Sequence, residues 1–94
     1  MISANLIENG YVCAKRCRHG IFLFNRNDQF IGRSLDLYGE WGESEISLLR
    51  PVLRLGSVIV DVGANIGTHT VAFANCVGAA GVVIAFEPQR LSYQ

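Results

Sequence analysis

The sequence has no surplus of either charge: eight Lys or Arg offset eight Asp or Glu, for a formal net charge of zero. That absence argues against a strongly basic nucleic-acid binder and against an acidic tail. An even, regularly spaced set of cysteines is missing too. Cys13, Cys17 and Cys76 are an odd, irregular trio, which is not a disulfide framework and points to a reducing, cytoplasmic compartment. The opening Met1-Ile2-Ser3-Ala4-Asn5 lacks the basic start and long apolar core of a signal peptide. No internal repeat or low-complexity linker is visible. Charge vanishes altogether from residues 62–86, a length at which a membrane span must be weighed. Asn65, Thr68, His69, Thr70 and Asn75 interrupt that stretch, and Gly78 and Gly81 cut it in two. Two buried elements joined by a turn are expected there, and no membrane partner.

What the chain has in quantity is apolar side chains, half of its 94 residues. A chain this short holds at most one small domain and leaves much of its surface unburied. Such richness suggests a piece of a larger core.

Residues 1–20 show apolar positions, Ile2, Leu6, Ile7, Tyr11 and Val12, without a clean period. Ile21-Phe22-Leu23-Phe24 reads as a strand, Asn25-Arg26-Asn27-Asp28 as a turn, and Gln29-Phe30-Ile31 as the return strand of a hairpin. After Gly42 comes a helix signal. Glu43 and Glu45 suit a first turn, and Ile46, Leu49 and Leu53 share a face at i, i+3, i+7. Pro51 lacks an amide proton and ends or kinks this helix near Arg50, and Gly56 then releases the chain. Residues 57–62 are nearly all apolar, as in a parallel strand covered on both faces. A tight loop, Gly63-Ala64-Asn65-Ile66-Gly67, leads into a helix over 68–77 and a turn over 78–81. Val82-Val83-Ile84-Ala85-Phe86 is a second buried strand, with Glu87 at its end and Pro88 stopping it.

Strand, glycine-containing loop, helix, strand and acid follow one another as in a nucleotide-binding half. Glycines at 63 and 67 allow close approach to the backbone, and the helix start at Thr68 offers free amides suited to a carboxylate or phosphate. Glu87 lies about 20 residues past the loop, where an acid takes ribose hydroxyls. A G-x-G-x-x-G dinucleotide fingerprint from Gly63 needs glycine at 65 and 68, where the chain has Asn65 and Thr68. The pattern acid-x-G-x-G-x-G fits as Asp61, Gly63, Asn65, Gly67 with one change. Asn tolerates a left-handed backbone best among non-glycine residues, so that change is mild.

Val60-Asp61-Val62-Gly63-Ala64-Asn65-Ile66-Gly67-Thr68-His69-Thr70 resembles the first motif of the FkbM-type methyltransferases, and Ala85-Phe86-Glu87-Pro88-Gln89 resembles their second. Tyr38-Gly39-Glu40-Trp41 ahead of an acidic helix start is also similar to members of that family. The likeness covers residues 38–94. It implies a class I methyltransferase with S-adenosylmethionine as methyl donor and an oxygen acceptor on a sugar or small metabolite. By the same resemblance Asp61 and the backbone from Gly63 through Ala64 and Asn65 to Gly67 would face the methionine end of the cofactor, and Glu87 the ribose hydroxyls, with Thr68 at the helix start among the cofactor-binding residues. The family's sheet has about seven strands, so the chain is expected to stop before that domain is complete and to lack a competent active site alone.

The expected fold is α/β: a partial Rossmann-like methyltransferase fold, its first βαβ unit preceded by an N-terminal β-hairpin and a covering helix. Residues 1–37 form the hairpin-containing extension, and residues 38–94 open the cofactor-binding domain. No catalytic residue is assigned. His69 is read as structural. Cys13, Cys17 and His19 lack a fourth ligand and a zinc-like spacing, so no metal is expected. Lys15, Arg16, Arg18 and His19 read as a solvated turn, and Tyr38 and Trp41 as packing anchors. Two other readings stand beside the methyltransferase. One is a non-catalytic remnant or interaction module that self-associates through open sheet edges. The other is a nicotinamide-dependent dehydrogenase fragment, against which the two missing glycines count.

Overall fold

The computed structural model describes residues 5–9 and 12–89. Among these residues it is a small mixed α/β structure with two small sheets and three helices, divided into two compact units, Met1–Trp41 and Gly42–Gln94. Ile2 and Tyr11 of the sequence reading, and the end of the family-like stretch at residues 90–94, lie outside the described residues.

The first unit holds an antiparallel sheet in the order β1 (Asn5–Asn9), β2 (Val12–Arg16), β3 (Ile21–Asn25), followed by α1 (Ile31–Tyr38). Side chains alternate across a strand. Phe22 and Phe24 are therefore buried while Ile21 and Leu23 are exposed, and their partners Lys15 and Cys13 share the buried face. Leu35 of α1 is buried too.

The return strand expected at Gln29-Phe30-Ile31 does not form; β3 pairs with β2, upstream of it. The reason is local. Asp28 accepts the amides of Phe30 and Gly32 on its two carboxylate oxygens, both at 3.0 Å, so the segment turns into a helix instead of extending. Gly32 is required at that turn, because a Cβ there would lie 2.3 Å from the Asn25 carbonyl oxygen. The solvated basic turn is also corrected. Lys15 is 1 % exposed, and its ammonium donates to the Asp36 carbonyl in the last turn of α1, where a helix favours positive charge. Arg18 instead reaches Glu40 at 3.0 Å on the surface. Tyr38 is exposed rather than a packing anchor, and Trp41 is only half-buried.

The second unit begins with α2 (Glu43–Leu49). Glu43 and Glu45 lie in its first turn, and a 3-10 turn at Arg50–Val52 carries Pro51, so the helix stops where proline demands. Ile46 is fully buried, whereas Leu49 of the same expected face is 41 % exposed. β4 (Val58–Val62) and β5 (Val82–Phe86) pair in parallel, joined by α3 (Thr68–Val77) in a right-length crossover. Ala72, Phe73 and Val77 are the buried face of α3, which lies on the two strands. α2, the helix expected to cover the sheet, meets the 3-10 turn that follows it and α3. The expectation that β4 is covered on both faces fails as well. Val58, Val60 and Val62 are exposed, because a single crossover helix can cover only one face. Among the described residues no helix is long and apolar enough to cross a membrane.

Candidate functional site

In a parallel pair both strands end on the same side, and here those ends carry the loop after β4 and the acid after β5. The loop's shape comes from backbone that few residues adopt. Gly63, Asn65 and Gly67 have φ of 80, 55 and 93°, and Asn65 is the one non-glycine residue with positive φ among those described. Nothing lies within 4 Å of a Cβ built at Gly63, so conformation and not crowding within the chain requires glycine there. The loop also closes onto the end of β5. The amides of Gly63 and Ala64 both donate to the Phe86 carbonyl, at 2.8 and 3.0 Å.

Glu87 fastens this end of the unit. Its Oε1 accepts the Asn65 amide and its Oε2 the Gln89 amide, each at 2.8 Å. One carboxylate thereby ties the loop after β4 to the segment after β5. Asp61 is engaged differently. It faces the helix side of β4, where Oδ2 accepts the Thr70 hydroxyl at 2.6 Å. The first-turn amides of α3, at Thr68, His69 and Thr70, have no carbonyl four residues back within the helix.

Between loop, helix start and β5 lies an open cleft of about 540 Å³. Ala64, Asn65, Gly67 and Glu87 line it, four of the residues expected at a cofactor site. Asp61, Gly63 and Thr68 do not. Asp61 stands behind Thr70, Gly63 holds the turn, and Thr68 is buried at the helix start. Ile66, within the expected loop backbone, lines it too, whereas Thr70, Ala85 and Phe86 complete the wall without a site role in the sequence. The available signal is adjacency: each lies next to the helix start or the acid. The lining carries one carboxylate and no Lys or Arg. The carboxylate suits hydroxyl donors.

His69 turns the other way. Its ring meets Phe73 edge-on with centroids 5.9 Å apart and lies against Gly42, where a Cβ would come within 2.6 Å of it. Its Nε2 is 4.0 Å from Glu45 Oε1, on the α2 side of the helix. Among the described residues no three His, Cys, Asp or Glu side chains converge as metal ligands. Burial pushes the Cys13 thiol above its ordinary range, with Asp36 adding to the rise and Lys15 opposing it. Cys17 is raised by burial as well. Both are thiols rather than thiolates at neutral pH, poor nucleophiles and poor ligands.

Comparison with known protein families, with curated proteins and with solved structures returns no match.

Proposed function

We propose that β4, α3 and β5 are the opening βαβ unit of a Rossmann-like fold, and that the cleft binds S-adenosylmethionine in an FkbM-type methyltransferase. The observation that carries this reading is the convergence of the left-handed loop and the Glu87 carboxylate on one cleft at the ends of two parallel strands. Ligands of open α/β sheets bind at that end.

Glu87 fits the role in detail. Each carboxylate oxygen has two acceptor positions, and one on each is occupied by an amide. One position per oxygen remains for the two neighbouring hydroxyls of a ribose. Thr70 brings the first turn of α3 to the cleft wall, and first-turn amides, which have no acceptor within a helix, suit a carboxylate. Asn65 and Thr68 stand where a dinucleotide fingerprint needs glycine, which counts against a nicotinamide dinucleotide. When bound, S-adenosylmethionine would supply an electrophilic methyl group, and the chain's residues would orient it. The acceptor would be an oxygen of a sugar or small metabolite.

A second reading, a non-catalytic module that associates through sheet edges, is favoured by one observation. β4 and β5 form a two-stranded sheet, so each leaves an edge without a strand partner among the described residues. Amide NMR of the purified chain, titrated with S-adenosylmethionine and separately with NAD, separates the two. Shifts at Asn65, Gly67, Thr70 and Glu87 with S-adenosylmethionine alone are expected. A folded chain whose peaks ignore both ligands would remove the cofactor site and leave the association module.

A further inference from the structure

A hydroxyl has one proton to give, and an ionised carboxylate can only accept. The 2.6 Å contact between Thr70 and Asp61 therefore fixes the direction of the Thr70 O–H, whose proton points at Asp61 Oδ2. Lone pairs, and no proton, are left on that oxygen for any other group. Thr70 stands on the wall of the cleft, whereas Asp61 lies behind it and does not line the cleft. A ligand thus meets the Thr70 hydroxyl as an acceptor only. The carboxylate strengthens that acceptor, because hydrogen bonds in a chain polarise one another. No Lys or Arg occurs in β4, α3 or β5, so none of these elements supplies a cation to the Asp61 charge.

We propose that Thr70 is a specificity-determining acceptor for an ammonium group of the ligand, and that Asp61 is the positioning residue that aims and polarises it. The inference rests on the S-adenosylmethionine reading, whose ligand carries one such group on its methionine end. An ammonium has three donors and no acceptor, so it matches an oxygen that can only accept. Its positive charge is also the counterpart that β4, α3 and β5 do not supply to Asp61. The same oxygen repels a carboxylate. The two ends of an α-amino acid group are thereby sorted, ammonium to Thr70 and carboxylate to the first-turn amides of α3. Glu87 has a different task, since its two oxygens already hold the amides of Asn65 and Gln89 at the end of β5. The assignment departs from the family resemblance, by which Asp61 would itself face the ligand.

Calorimetric titration of the purified chain tests this with two probes, S-adenosylhomocysteine and its deaminated analogue, which lacks only the amine. The wild-type chain should bind the amine-bearing compound roughly tenfold more tightly, as expected for a hydrogen bond to a charged group. Thr70→Val, close in shape, should lose that preference by weakening S-adenosylhomocysteine alone, and Thr70→Ser should keep it. Asp61→Asn should also lose it, because its amide can donate to Thr70 and turn the hydroxyl proton toward the cleft. A wild-type chain that binds neither S-adenosylmethionine nor S-adenosylhomocysteine overturns the cofactor reading and this inference with it. Equal wild-type affinities for the two probes, or a Thr70→Val variant that keeps the preference, overturn this inference alone. Should Thr70→Val fail to fold, Asp61→Asn decides: loss of the preference supports the pair, and an intact preference overturns it.

Discussion

In the N-terminal unit, charged side chains that leave the surface serve the unit's own backbone. Lys15 holds the last turn of α1, and Asp28 holds its first. In the C-terminal unit, Asp61 and Glu87 gather near one end of a parallel pair, beside a loop in left-handed conformation and an open cleft. Apolar groups differ in degree. The first unit buries Phe22 and Phe24 and exposes Ile21, Leu23 and Phe30, and the second buries Ile46, Phe73 and Val77 but leaves six apolar side chains on one face of its sheet in solvent. The comparison teaches that the first unit's inward charges close its own backbone, while Glu87 of the second stands on the wall of an open cleft.

Substitutions test that contrast, and the largest effect belongs to the closed unit. Phe22→Ala should destabilise the sheet–helix unit by about 3–5 kcal/mol, the range for an aromatic core truncation. Val60→Ala, on the open face, should cost a monomer well under 1 kcal/mol. Urea unfolding followed by amide NMR checks both, and similar losses at the two sites would erase the comparison. Glu87→Ala should weaken S-adenosylmethionine binding by about 1.5–3 kcal/mol, as expected for a hydrogen bond to a charged group. Calorimetric titration showing wild-type affinity would remove Glu87 from the site.

Backbone comes next. Gly63→Val should lower stability by roughly 1–2 kcal/mol, since a β-branched residue is strained at positive φ. Asn65→Gly, at φ 55°, should change stability little. Thermal melts that reverse this order would mean that the loop is shaped by something other than its left-handed positions. The smallest effect is the pH dependence of the first unit. The folded state holds the Cys13 proton more tightly than the unfolded chain, whose thiol titrates near 9.0. That contribution to stability is fully present below the unfolded value and is lost as pH rises through the raised folded value. Alkylation of Cys13 by iodoacetamide should therefore stay slow at pH 8; rapid modification of the folded chain would contradict the burial.

Much of the second unit is legible without coordinates. The apolar runs at 58–62 and 82–86 are too short and too β-branched for helices, and Gly63, Gly67 and Gly78 punctuate them, so β4, α3 and β5 form where the pattern puts them. Pro51 ends α2 as its missing amide requires. The first unit was far less readable. Residues 5–16 hold two strands without a clean alternation, because Lys15 takes a buried position that apolar patterning cannot flag. Asp28 looked like turn chemistry, and only its reach to two later amides turns residues 31–38 into a helix. At the site, Asn65 showed its left-handed role in its residue type, whereas the direction of Asp61 depends on Thr70, nine residues away.

The sequence alone determines the short-range features: where the strand–loop–helix–strand order falls, which loop residues accept positive φ, and where proline stops a helix. These depend on covalent geometry and on neighbours within a few residues. Tertiary structure alone decides which strand pairs with β3, which carboxylate meets the loop, and which sheet face α3 leaves open. Each of those depends on groups distant in the chain, whose meeting is set by the competition among all packings at once.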